Sequence, residues 1–110
     1  GARAALERAL EIDQTLAGAD PSDMRALRDL AVSNTKLAEL EHELAGGEVG
    51  VEQIADLRAA AAGFRRALEA WSLLETRGGF AAGDEATTRG VHAAIAECDA
   101  ALVAAGDAPR

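Results

Sequence analysis

Apolar residues between positions 54 and 71 recur at spacings of three, four, three, four and three. They are Ile54, Leu57, Ala61, Phe64, Leu68 and Trp71. Because an α-helix turns once in about 3.6 residues, this spacing puts the whole set on one face of a helix. We therefore predict a helix from Val51 to Thr76 with a buried seam, and the rest of this short chain must supply the helices that cover it.

Three further segments have helical spacing, and turn-forming residues separate them. Residues 2–16 are predicted to form an amphipathic first helix that Gly18 ends, and residues 22–44 the second helix. The last helix is predicted to begin at Asp84 and to stop at Gly106. The chain thus divides into four helices joined by three short breaks.

Two aspartates are the predicted N-terminal caps of helices. Asp20 precedes Pro21, and proline suits the first turn of a helix because its missing N–H needs no partner there. Asp84 follows the glycine-rich break R-G-G-F-A-A-G. Aspartate is a favoured cap because its carboxylate accepts hydrogen bonds from the first backbone N–H groups.

The composition favours an all-α fold. Of the 110 residues, 28 are alanine and only 3% are aromatic, so good helix formers dominate and typical strand formers are sparse. The length fits one domain, 1–110, and we expect it to be a piece of a longer chain. Four helices with short breaks predict two antiparallel hairpins, either stacked side by side or closed into a four-helix bundle.

The charge restricts the classes of partner. The formal net charge is −8, from 19 acidic and 11 basic residues, so nucleic acid and anionic membranes would be repelled, whereas a basic partner would be attracted. No apolar run is long enough to span a bilayer, and the N-terminus lacks a signal-peptide layout. Cys98 is the single cysteine, so the chain cannot form an internal disulfide. We therefore expect an intracellular, cytoplasmic protein.

Few residues have a pattern that indicates chemistry. The stretch E-L-E-H-E places Glu39 and Glu43 on one helix face but turns His42 away from them. His92 and Cys98 are six residues apart and so point about 240° from each other around the predicted helix. We expect a solvated acidic face and a buried thiol, with no catalytic residue, no metal and no cofactor.

The glycine-rich breaks are interpreted as turns. Residues 46–50 and 78–83 carry neither the lysine nor the serine or threonine of a phosphate-binding loop, and no strand is predicted before them.

One short segment of predicted helix occurs twice in similar form. L-E-R-A-L-E begins at Leu6 and F-R-R-A-L-E begins at Phe64, 58 positions later, which aligns Arg8 with Arg66 and Leu16 with Leu74. The first and third helices are therefore predicted to be equivalent elements of an internal repeat, which is typical of stacked helical repeats.

These residues resemble a known family. Phe64 and Ala67, with Ala60 before them, are similar to the second helix of a tetratricopeptide repeat, and R-D-L-A-V-S-N-T-K-L-A-E-L from Arg28 resembles its first helix. The repeat of 58 residues exceeds the family's period of about 34, and Asn34 stands where the family has an aromatic residue. The likeness is closest to long-helix arrays attached to bacterial serine/threonine kinases and multidomain signalling ATPases.

The resemblance implies a right-handed stack of hairpins that acts as a non-catalytic scaffold for protein–protein contact. Its partner would be a peptide or helix, and the candidate contacts are polar residues of the two central helices. These candidates are Asn34, Lys36, Arg65 and Arg66.

Two alternatives remain open. Two copies could pair through exposed apolar sides of the first and last helices, which would make the chain a homo-oligomerisation module. Alternatively, the chain is a small metal-binding helical protein or an enzyme. The residues on which that alternative depends are Glu39, His42, Glu43, His92 and Cys98.

Overall fold

A computed structural model describes residues 1–107 of the chain. It contains four helices: α1 (Ala2–Ala19), α2 (Met24–Gly46), α3 (Gly50–Thr76) and α4 (Asp84–Ala104). No strand occurs within the described residues. The predicted all-α fold of four helices is therefore confirmed, and α3 begins one residue before its predicted start.

The start of α2 differs in detail from the prediction. Asp23, not Asp20, is the N-cap, because its carboxylate accepts hydrogen bonds from the backbone N–H groups of Arg25 and Ala26 at 2.9 and 3.2 Å. Asp20 instead accepts hydrogen bonds from the backbone N–H and the hydroxyl of Ser22. Asp20 therefore shapes the turn that leads into the helix, and α2 begins two residues later than predicted.

Asp84 is the first residue of α4 and not its cap. Gly83 is the N-cap and has φ of 90°, a left-handed conformation that glycine adopts without steric cost. The carboxylate of Asp84 accepts a hydrogen bond from the guanidinium of Arg28 at 3.0 Å and another from the backbone N–H of Ala81 at 2.6 Å. A side chain that the prediction assigned to α4 alone therefore joins the start of α4 to α2.

The helices pack in chain order, with α1 on α2, α2 on α3, and α3 on α4. Each neighbouring pair is antiparallel, since ion pairs and hydrogen bonds join the early residues of one helix to the late residues of the next. Examples are Arg3 with Glu41, Arg28 with Gly79 just after α3, and Arg58 with Asp107 just after α4. A closed bundle would also pack α1 extensively against α4, and among residues 1–107 that pair makes no such interface.

Helix α3 contributes more buried apolar residues to the core than any other helix. One cluster joins the first half of α3 to α4 and to the second half of α2, and a second cluster joins the second half of α3 to the first half of α2. Of the predicted α3 seam, Leu57, Ala61, Phe64 and Trp71 are buried, and Ile54 and Leu68 pack against the first cluster as half-buried residues. The predicted buried seam is confirmed.

Helix α1 buries much less apolar surface. Leu10 is its one buried residue, whereas the side chains of Ile12 and Leu16 are 60% and 53% exposed. The part of the predicted apolar stripe of α1 that contains Ile12 and Leu16 therefore faces away from the core. Within residues 1–107, every helix is too short or too polar to cross a membrane.

Candidate functional site

A trough runs along α2 between the flanking helices α1 and α3. Three adjoining cavities of 410, 260 and 330 Å³ make up this trough, and Gln14 of α1 lines all three. Residues of α2 from Leu27 to Glu41 form the floor, which spans about 21 Å at 1.5 Å per residue. An extended peptide of about six residues would match that length.

Arginine side chains close both ends of the trough. At one end, Arg3 of α1 pairs with Glu41 at 2.7 Å and with Asp56 of α3 at 2.9 Å, so three helices meet at one cation. Burial raises the pKa of Glu41, and the hydrogen bond from Arg3 opposes that rise. At the other end, the guanidinium of Arg77 donates a hydrogen bond to the carbonyl oxygen of Pro21.

The trough is apolar toward the Arg77 end. Leu27 is buried in the floor, Leu30 is half-buried beside it, and Leu73 on the α3 wall is 42% exposed. An exposed leucine beside buried ones forms an apolar surface. Packing of an apolar side chain of another molecule on this surface would be favourable, because it removes apolar area from water.

The trough is acidic toward the Arg3 end. Glu7 and Glu11 of α1 line the wall at this end, Arg66 of α3 reaches from there to the middle, and Glu69 of α3 lines the middle of the trough. None of these four side chains has a hydrogen bond or ion pair to another of residues 1–107. Three carboxylates against one guanidinium, all unpaired within residues 1–107, make the Arg3 end and the middle of the trough net negative.

Asn34 lies in the middle of the floor and is only 3% exposed. Its Nδ2 donates a hydrogen bond of 3.1 Å to the carbonyl oxygen of Leu30, which fixes the orientation of the amide. Its Oδ1 is buried and has no donor among residues 1–107. A buried acceptor without a donor is costly, because water bonds are lost on folding and nothing in the protein replaces them.

The structure brings two of the four predicted contact residues together. Asn34 and Arg66 both line the trough. Lys36 follows Asn34 by two residues, a turn of about 200°, so it lies exposed on the opposite face of α2. Arg65 faces α4, where its guanidinium pairs with Asp99 at 2.7 Å.

Sequence reasoning missed the α1 wall of the trough. Glu7, Glu11 and Gln14 were not among the candidates, and neither was Leu73 of α3. A signal existed, because Glu11 aligns with Glu69 in the repeated segment and both flank α2. Without knowledge that α1 and α3 lie on either side of α2, that correspondence does not indicate a shared site.

The histidines and the cysteine lie in separate environments. The ring of His42 stands edge-on to Phe64, with centroids 6.3 Å apart, whereas His92 is exposed on α4. Cys98 is fully buried, and burial raises the pKa of its thiol to about 11. Among residues 1–107, no group of three or more histidine, cysteine, aspartate or glutamate side chains is arranged to hold a metal ion.

No protein-family model, curated protein or solved structure matches this chain.

Proposed function

We propose that this chain is a non-catalytic protein–protein interaction module that holds a peptide or helix of a partner protein in the trough. The observation that carries the proposal is the trough itself, with Leu73 exposed on its wall and the Oδ1 of Asn34 buried without a donor among the described residues. Concave surfaces that combine apolar side chains with a few polar groups are the common form of binding sites.

The favoured partner segment is basic with one apolar anchor. Glu7 and Glu11 at the acidic end and Glu69 in the middle of the trough would attract lysine or arginine, and the net charge of −8 would speed the encounter. A leucine or isoleucine of the partner would pack on Leu27 and Leu73 at the other end. A turn of the Asn34 amide toward the trough would let an N–H group of the partner satisfy its acceptor, which favours an extended segment over a helix whose N–H groups are already bonded.

The wider setting of the proposal rests on the resemblance to tetratricopeptide arrays. On that basis we extend the proposal to a cytoplasmic scaffold or regulatory part of a bacterial signalling kinase. The packing of each helix on its neighbours in chain order is compatible with such an array.

The proposal is tested by selecting short displayed peptides on the immobilised chain and titrating the selected peptides by fluorescence anisotropy. We expect enrichment of basic peptides that contain a leucine or isoleucine. The substitution Leu73→Asp should weaken their binding at least about tenfold, because it puts a charge where the apolar anchor would pack.

Leu44→Asp is the matched control. Leu44 is 40% exposed, close to the 42% of Leu73, but it lies outside the lining of the trough. Equal weakening by both substitutions, or a selection that enriches no peptide, would rule out the trough as a peptide site.

A further inference from the structure

The 58-residue repeat extends to the whole structure. A shift of 58 moves α1 (Ala2–Ala19) onto positions 60–77, where α3 ends at Thr76, and moves α2 (Met24–Gly46) onto positions 82–104, where α4 ends at Ala104. The hairpin of α1 and α2 therefore corresponds to the hairpin of α3 and α4, although the quoted similarity of sequence lies only in α1 and α3.

The internal contacts of the two hairpins correspond as well. Leu10 of α1 and Leu37 of α2 line one cavity, and their counterparts Leu68 and Ile95 pack against one core cluster. Ser33 donates a hydrogen bond to Asp13 between α1 and α2, and the counterpart of Ser33 is Val91, which is buried against α3. The two leucines and their counterparts thus occupy corresponding places inside the two hairpins, whereas Asp13 contacts α2 within its hairpin and its counterpart Trp71 packs between the hairpins.

The two hairpins meet through the interface between α2 and α3. On the α3 side, the buried positions are Phe64, Ala67, Ala70, Trp71 and Leu74. On the α2 side, they are Leu27, Ala31, Thr35, Ala38 and Ala45. The helices approach so closely that a Cβ built on Gly63 would lie 3.1 Å from the Cβ of Ala38.

The counterparts of these buried positions are largely uncovered by the residues that the structure describes. On α1 they include Leu6, Ala9, Ile12 and Leu16, which we call the α1 outer face; Leu6 and Ala9 are half-buried and the other two are exposed. On α4 they include Ala93, Ala96 and Val103, which with Ala100 form the exposed α4 outer face. The molecule thus presents at its two ends the two halves of an interface that it already forms once in its middle.

We propose that copies of this chain stack head to tail, with the α4 outer face of one copy on the α1 outer face of the next. The occupant is a second copy because both halves of the α2–α3 interface are reproduced on this chain, the larger apolar residues on α1 and the small ones on α4. This assembly is independent of the trough, since none of the four residues of the α1 outer face lines it.

The counterparts of two residues of one central cluster are complementary in size and charge. Trp71 and Ala31 lie in the same buried cluster, a large side chain beside a small one. Their counterparts are Asp13 and Arg89, a small side chain and a large one of opposite charge. Stacking would bring Arg89 of one copy near Asp13 of the next, whose carboxylate also accepts the hydrogen bond from Ser33 of its own α2.

One end of the proposed interface is less apolar than the α2–α3 interface. Leu27 has Glu85 as its counterpart, and Glu85 stays exposed on α4, where it pairs with Arg89 at 3.5 Å. We therefore expect a weak association that depends on protein concentration. Because the two outer faces differ, the contact is heterologous, and further copies would extend the stack or close it into a ring.

Sedimentation velocity from micromolar to millimolar protein tests the proposal. We expect the mean mass of the unchanged chain to rise with concentration. Two double variants should each remain monomeric: Ile12→Glu with Leu16→Glu on α1, and Ala96→Glu with Ala100→Glu on α4. All four positions are exposed, and circular dichroism verifies that the helices are retained.

An equimolar mixture of the two variants is the decisive measurement. The α1 variant keeps an intact α4 outer face and the α4 variant keeps an intact α1 outer face, so the mixture should form a heterodimer that cannot extend further. Pairing of two α1 faces would instead leave the α4 variant dimeric by itself and the mixture without heterodimer. That result, or a monomer at every concentration of the unchanged chain, would overturn the proposal.

Discussion

The indole Nε1–H of Trp71 donates a hydrogen bond of 3.1 Å to the hydroxyl oxygen of Thr35, and both side chains are buried between α2 and α3. The hydroxyl of Thr35 in turn donates a hydrogen bond of 2.8 Å to the carbonyl oxygen of Ala31, which connects the tryptophan to the backbone of α2. This connection supplies the indole with the acceptor that a buried donor requires.

Thr35→Val should destabilise the protein by about 1–3 kcal/mol, because it leaves the buried N–H of Trp71 without an acceptor while keeping the shape of the side chain. Urea unfolding followed by the fluorescence of Trp71, the single tryptophan, measures the change. Thr35→Ser, which keeps the hydroxyl, should cost clearly less. Equal stability of the valine variant and the unchanged chain would show that the hydrogen bond contributes nothing.

Replacement of two helical glycines by larger residues should change the stability of the protein in opposite directions. Gly90→Ala should stabilise α4 by about 0.5–1 kcal/mol, since a Cβ there meets nothing within 4 Å and glycine is a poor helix former. Gly63→Val should destabilise by about 1–3 kcal/mol, because its side chain would push α2 away from α3 at Ala38. Thermal unfolding midpoints of the two variants give the comparison, and a rise for both would contradict the close approach at Gly63.

Stability should fall in acid through the pair of Arg28 and Asp84. The hydrogen bond from Arg28 holds the pKa of Asp84 below its ordinary value of 3.8. A carboxyl whose pKa is lower in the folded state stabilises the fold in full above its ordinary pKa. That contribution is lost as the pH falls through the lower folded-state pKa.

Urea unfolding at a series of pH values below 6 measures this contribution. Asp84→Asn should lower stability at neutral pH and flatten the dependence on pH below 4, since the titrating carboxyl is gone. Glu41→Gln is the contrasting variant, because burial raises the pKa of Glu41 and its effect on the pH dependence has the opposite sign. If Asp84→Asn left the slope of stability against pH unchanged in acid, groups other than Asp84 would be responsible for the acid sensitivity.

Cys98 should react with thiol reagents only when the protein opens. Its side chain is fully buried, and with a pKa of about 11 only about one thiol in a thousand is ionised at pH 8. The reaction with a chromogenic disulfide should be slow in buffer and should quicken in step with the urea unfolding curve. Rapid labelling of the folded protein would mean that α4 separates from α3 well below the unfolding transition.

Much of the fold was predictable because the relevant signals are local. The spacing of residues such as Phe64 and Trp71 identified the buried face of α3, and glycine and proline located the breaks between helices. Capping was predicted less well: Asp20 and Asp23 are both competent caps three residues apart, and the local turn decided between them. Asp84 was assigned to the start of α4, but its pairing with Arg28 depends on a contact 56 residues away.

The candidate site was predictable only in part. Asn34 and Arg66 were identified as polar residues of the central helices, and both line the trough. Lys36 and Arg65 fit the same description but face elsewhere, because the rotation of each helix against its neighbours selects which polar residues share a surface. Leu73 looked like an ordinary apolar residue of α3, and only the position of α1 makes it part of a wall.

The sequence by itself determined four helices, their approximate ends and the apolar stripe of each, because helical periodicity and turn chemistry depend on neighbouring residues. Tertiary structure decided which stripes are covered. The two copies of the repeated segment show this difference, since Leu74 is buried by α2 while its counterpart Leu16 remains 53% exposed on α1. The two helices carry similar stripes, and burial differs because α3 has a helix on each side, whereas within the described residues α1 packs mainly on α2.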